Sequence, residues 1–166
     1  MIGTMTLSEA AIAYGGTLLF PDTGFTQVST DSRSIASGQL YVALKGDRFD
    51  GHDFLRQVSD SACGFVVSEP DKSLLKPQWL VADTTIALGQ LAQLNRKRFF
   101  GKVIGLTGSS GKTTVKEMVA SILAVRGATL STRGNLNNHI GVPKTLFELT
   151  EEHRFAVVEM GASGPG

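Results

Sequence analysis

The 166-residue chain has one cysteine, one tryptophan, five prolines and no excess of either charge. A lone Cys63 can form neither an internal disulfide nor a multi-cysteine metal centre, which fits a reducing compartment. Sixteen Lys+Arg against 15 Asp+Glu leave a net charge of +1, which removes the electrostatic case for nucleic-acid binding. No apolar run approaches the ~20 residues of a membrane-spanning helix, and no basic segment precedes an apolar one at the N-terminus. The expectation is a soluble, cytoplasmic protein with no membrane insertion. Few prolines and no triplet glycine repeat exclude collagen and argue against a disordered linker.

What is present is ordinary globular material, 42% hydrophobic and 19% charged, enough for a sizeable core. Glycine is the exception: 19 residues, against a typical ~7% of a chain. Nine fall in residues 1–100 and ten in the last 66, so the second part needs more backbone freedom. Neither part is a charged tail, with nine basic and ten acidic groups in residues 1–100 and seven and five afterwards.

Thr6-Leu7-Ser8-Glu9 has capping-box spacing and predicts a short helix that Gly15-Gly16 stops. Strands are expected at Phe25 to Thr30 and Leu40 to Leu44, a helix over Asp53 to Ala62, and strands at Gly64 to Val67 and Trp79 to Ala82. Asp83 is a candidate N-cap for a helix from Thr84 to Arg98, whose closing Arg96-Lys97-Arg98 suits the helix dipole better than a nucleic-acid patch. From Lys102 the rhythm changes to strand (Lys102–Thr107), helix (Lys112–Val125), strand (Ala128–Ser131), helix (Val142–Leu149) and strand (Phe155–Met160). That alternation signals a parallel sheet with crossover helices. The predicted fold class is α/β: a small mixed N-terminal domain over 1–83, then the first part of a parallel-sheet phosphate-loop domain over 84–166.

Thr107-Gly108-Ser109-Ser110-Gly111-Lys112-Thr113-Thr114 joins the strand ending in Leu106 to a helix, the context a phosphate loop requires. Glycines let the backbone converge its N–H groups on an anion, and the helix N-terminus adds positive potential. Lys112 would reach the terminal phosphates of a purine nucleoside triphosphate, and the Thr113 hydroxyl would ligate Mg2+. The strict G-x-x-x-x-G-K-[ST] pattern has Leu106 at its first position, with glycines at 105 and 108 instead, so the loop is a variant. The bland alternative is a glycine-rich turn with an incidental Gly-Lys-Thr.

Glu159 ends the apolar run Phe155-Ala156-Val157-Val158, which puts a carboxylate at the carboxyl edge of the sheet as a second metal ligand. A solvated strand-end glutamate is the alternative. Gly134-Asn135-Leu136-Asn137-Asn138-His139-Ile140-Gly141 is dense in amides and glycine; it serves either as a tight turn or as a loop orienting substrate.

Together, T-G-S-S-G-K-T-T, G-N-L-N-N-H-I-G-V-P and V-V-E-M-G-A, in that order, resemble the Mur ligase family of ATP-dependent amide-bond-forming enzymes. Thr30-Asp31-Ser32-Arg33 and Leu40-Tyr41-Val42-Ala43-Leu44-Lys45-Gly46-Asp47 through Phe54 resemble the branch that joins D-alanyl-D-alanine to UDP-N-acetylmuramoyl-tripeptide in peptidoglycan precursor synthesis. The resemblance implies three domains, of which this chain holds the UDP-binding first and the start of the ATP-binding second. It implies a bacterial cytoplasmic monomer using ATP and Mg2+, with Gly108 to Thr114 on the nucleotide and Thr113 and Glu159 on the metal. Lys112, Glu159 and Asn138 would be catalytic, Asn138 contacting substrate near the reacting centre. Asp31, Ser32, Arg33, Lys45 and Gly46 would bind the nucleotide sugar. The plainer alternatives are that Asp31-Ser32 makes a side-chain-capped turn, and that Asp50 or His52 caps the following helix.

Overall fold

The structure, a computed structural model, describes residues 1–161, and the chain divides into two compact units. One is Gly3–Leu91; the other joins Met1–Ile2 to the residues from Ala92 on, so the division falls inside a helix.

In the first unit, β1 (Met5–Thr6) leads into α1 (Leu7–Tyr14). Thr6 caps this helix by accepting the Glu9 amide at 3.1 Å. Gly15 ends it at φ 81°, a left-handed value that favours glycine. The Gly15 carbonyl then accepts the indole N–H of buried Trp79 at 2.9 Å. A five-stranded sheet follows, in the order β2 (Thr17–Leu19), β7 (Gln78–Leu80), β6 (Gly64–Val67), β5 (Leu40–Val42), β4 (Val28–Ser29). Only the β2–β7 pair is antiparallel.

The expected strand Phe25–Thr30 is two pieces. β3 (Gly24–Phe25) pairs with β1, whereas β4 pairs with β5, so the chain changes sheets in between. The expected helix Asp53–Ala62 begins earlier, as a 3-10 turn (Gly51–Phe54), and its α-helical part, α2, is only Leu55–Val58. Gly51 sets this start: a Cβ there would lie 2.8 Å from the Leu44 amide, so only glycine lets the turn pack so closely. Tyr41, Leu55, Val58, Phe65 and Val67 form the core over this face. α3 (Thr84–Lys97) begins where Asp83 accepts the Thr85 and Ile86 amides at 2.7 and 3.0 Å.

The second unit is a parallel sheet in the order β8 (Lys102–Leu106), β10 (Phe155–Glu159), β9 (Thr129–Ser131). Its crossover helices are α4 (Lys112–Ala124) and α5 (Gly141–Phe147). Strand alternation divides β10. Ala156 and Val158 join Ile2, Phe99, Leu130 and Leu149 in a core against Val142 and Leu146 of α5, while Val157 and Glu159 face the other way. Among the described residues no helix is long and apolar enough to cross a membrane.

Candidate nucleotide site and its surroundings

The turn from β8 into α4 is built by two glycines in conformations that side chains avoid. Gly108 has φ 143° and Gly111, the residue capping α4, has φ 75° and ψ −2°. The loop residues Gly108 to Gly111 are exposed, so their backbone can meet a ligand. Lys112 folds back, its Nζ donating to the Gly108 carbonyl at 2.6 Å across the span of the loop.

Parallel register aligns Glu159 with Leu106, the last residue of β8, and so carries its carboxylate to the base of this loop. Glu159 is 1% exposed. The Thr113 hydroxyl donates to its Oε2 at 3.1 Å and the Asn137 side-chain amide to its Oε1 at 2.8 Å. Among the described residues both donors are neutral and no Lys, Arg or His forms a salt bridge to it. A buried carboxylate beside a hydroxyl, under an exposed glycine loop, is a donor set that could hold a hard cation such as Mg2+. Among the described residues, no cluster of three or more His, Cys, Asp or Glu could hold a metal alone. The structure thus brings the Thr113 hydroxyl and the Glu159 carboxylate together.

The asparagine loop divides its work between adjacent residues. Asn138 Oδ1 accepts the Ile140 and Gly141 amides at 3.2 and 2.7 Å, starting α5, and the residue is exposed. Asn137 is the one that reaches Glu159, and its carbonyl also accepts the Gly161 amide at 2.7 Å. Asn137 was not among the expected site residues. The only sequence signal for it was the amide density of the loop, which does not say which amide turns inward.

In the first unit, the other expected residues gather at one sheet edge. Asp31, Ser32 and Arg33 follow β4, and Lys45 and Gly46 follow β5; both strands run parallel to β6. Asp31 accepts the Arg33 amide at 3.0 Å and its guanidinium at 2.9 and 2.8 Å, which is the capped turn that Asp31-Ser32 suggested. Lys45 pairs with Asp50 at 3.2 Å and lies 3.8 Å from Glu69. The Gly46 amide donates to the Phe49 carbonyl at 3.0 Å, closing a tight turn. Asp50 accepts the His52 amide at 2.9 Å and contacts its Nδ1 at 2.5 Å. His52 Nε2 in turn accepts the Ser68 amide at 3.0 Å, beyond the end of β6. The His52 amide, helped by the His52 ring and Lys45, holds the Asp50 carboxyl down at about 2. Burial, then the negative charges of Asp31 and Asp50, push the Tyr41 phenol up.

The Mur ligase family catalytic domain matches residues 24–95 and the Mur ligase middle domain residues 106–166. The chain belongs to the Mur ligase family. A UDP-N-acetylmuramoyl-tripeptide–D-alanyl-D-alanine ligase from Escherichia coli (strain K12) is 46% identical over 98% of this chain and 36% of its own length. MurF from Acinetobacter baumannii superposes with a TM-score of 0.89 at 45% identity, over 99% of this chain and 37% of that one. MurF from Thermotoga maritima, solved in complex with ADP, gives a TM-score of 0.77 at 33% identity, over 84% of this chain and 33% of that one. The chain thus spans little more than a third of these Mur ligases.

Proposed function

We propose that this chain carries the UDP-substrate region and the start of the ATP site of a D-alanyl-D-alanine-adding Mur ligase. Residues 1–83 would serve the nucleotide sugar and residues 84–166 the ATP. The carrying observation is the junction of Thr113, Asn137 and Glu159 at the base of the glycine loop. The ADP complex of the Thermotoga relative supports a nucleotide there, and the Escherichia relative supports the substrate pair.

The substrate's terminal carboxylate oxygen attacks the γ-phosphorus of ATP; the bond to the bridging oxygen breaks and ADP leaves. The amine of D-alanyl-D-alanine then attacks the acyl-phosphate carbonyl, loses a proton, and inorganic phosphate departs. Catalysis is mainly positioning and charge neutralisation. The exposed loop amides cradle the phosphates, and Lys112 exchanges the Gly108 carbonyl for a phosphate oxygen. Thr113 and Glu159 would hold Mg2+, which would supply Lewis-acid polarisation of the phosphates. Asn138, its Oδ1 engaged with α5, keeps its side-chain N–H groups for substrate.

In the first unit, Arg33 and Lys45, paired with Asp31 and Asp50, would meet diphosphate oxygens, with Ser32 and Gly46 beside them. The protein would act as a monomer in the bacterial cytoplasm. Acceptor screening with the full-length protein is the test: D-alanyl-D-alanine should be consumed with UDP-N-acetylmuramoyl-tripeptide. Ligation of a single amino acid to the UDP-dipeptide would instead identify the branch that adds the third residue. Nucleotide binding with no ligation would identify a switch module.

A further inference from the structure

Lys116 is the one fully buried charged side chain of α4, at 0% exposure, and phosphate-loop chemistry gives it no role. Its Nζ donates to the Thr132 carbonyl at 2.6 Å and pairs with Glu117 at 2.9 Å. Thr132 is itself 1% exposed and lies just beyond β9, where its amide continues the parallel ladder by donating to the Val157 carbonyl at 3.0 Å. In a regular parallel ladder the next rung would run from the Glu159 amide to the Thr132 carbonyl. Here that carbonyl is taken by Lys116, and the Glu159 amide donates to the Thr132 hydroxyl instead, at 2.9 Å.

We infer that Lys116 is a positioning residue for Glu159, acting through Thr132. By drawing the Thr132 carbonyl toward α4, it makes a side-chain oxygen end the ladder. The Glu159 backbone is thereby anchored where its carboxylate meets Thr113 and Asn137. The same helix carries Thr113 and Lys116, one turn apart on α4, so one rigid element sets both the hydroxyl and the carboxylate. Without the ammonium, the Thr132 carbonyl is free to take the regular rung from the Glu159 amide, which draws the Glu159 backbone off the Thr132 hydroxyl. This inference rests on the reading of Glu159 as a metal-holding carboxylate at a nucleotide site.

The test is calorimetric binding of ADP to the full-length protein, with Mg2+ titrated and with Mg2+ removed by EDTA. The variants are Lys116→Met, Thr132→Val and Thr132→Ser. Partners behind metal ligands change metal affinity by about 10- to 100-fold when removed. Lys116→Met and Thr132→Val should therefore raise the half-saturating Mg2+ concentration at least about 10-fold. Affinity for ADP in EDTA should stay at the wild-type level, and Thr132→Ser, which keeps the hydroxyl, should restore the Mg2+ response.

Wild-type Mg2+ dependence in folded Thr132→Val would overturn the inference, as would an equal loss of affinity in EDTA. If Lys116→Met does not fold, the Thr132→Val and Thr132→Ser pair decides alone. If the wild-type protein binds ADP with no response to Mg2+, the metal reading of Glu159 fails and the inference with it.

Discussion

Replacing Gly141 with alanine sets two physical effects against each other. Gly141 is the first residue of α5 and its φ is not left-handed, so helix propensity alone predicts a gain of about 1 kcal/mol. The packing predicts the reverse. A Cβ at this position would lie 2.5, 2.6 and 2.7 Å from the carbonyl carbon, Cα and oxygen of Leu136. These are backbone atoms, so no rotamer change relieves the clash, and the segments must part by about 1 Å.

Leu136 directly precedes Asn137, whose side chain holds Glu159 at 2.8 Å. A shift of about 1 Å carries that contact past hydrogen-bonding distance. Overpacking contributes about 1–3 kcal/mol and the lost bond to a carboxylate about 1.5–3 kcal/mol. Less the propensity gain, Gly141→Ala should destabilise its unit by about 1.5–5 kcal/mol. Chemical denaturation followed by far-UV circular dichroism reads the stability, and hydrogen exchange at the β10 amides reads the local effect. A variant as stable as wild type, with unchanged exchange at Glu159, would refute the close approach and the coupling drawn from it.

Three further outcomes are expected. Lys112→Ala in the full-length protein should abolish acyl-phosphate formation while binding of the UDP substrate, followed by calorimetry, survives; loss of both would refute the division between the two units. Asp50 has a folded-state carboxyl depressed to about 2, so its stabilising contribution is complete above its unfolded value and disappears as pH falls from about 4 through about 2. Acid titration should therefore show the gap in stability between wild type and Asp50→Asn closing over that range; a constant gap contradicts the pairing with His52 and Lys45. Thr84→Val removes a buried hydroxyl that donates to the Ala43 carbonyl at 2.8 Å and should destabilise the first unit by about 1–3 kcal/mol. Trp79, the only tryptophan, lies in that unit and reports its unfolding by fluorescence in urea.

Periodicity and punctuation made the second unit legible, because a phosphate loop is a local feature: glycines, lysine and threonine follow one another along the chain. Glu159 was legible for a similar reason, since an apolar run ending in an acid fixes its own place at a sheet edge. Other features depend on contacts distant in sequence. β2 has three residues and pairs with β7 about sixty positions later, so nothing in Thr17–Leu19 announces it. Gly51 starts its turn early because of Leu44, not because of its neighbours. α4 inverts the hydropathy rule outright: Val115, Met118 and Ile122 are exposed while Lys116 is buried. The choice between Asn137 and Asn138 is of the same kind, decided by where the loop crosses Glu159.

The proposed role of the loop, Thr113, Asn137 and Glu159 is phosphoryl transfer to a carboxylate. Its most direct measurement supplies the full-length protein with ATP, D-alanyl-D-alanine and UDP-N-acetylmuramoyl-tripeptide carrying oxygen-18 in its terminal carboxylate. One labelled oxygen should leave in the inorganic phosphate for each amide bond formed, and Lys112→Ala should end both. Amide formation with unlabelled phosphate, or ATP turnover without any amide product, would contradict it.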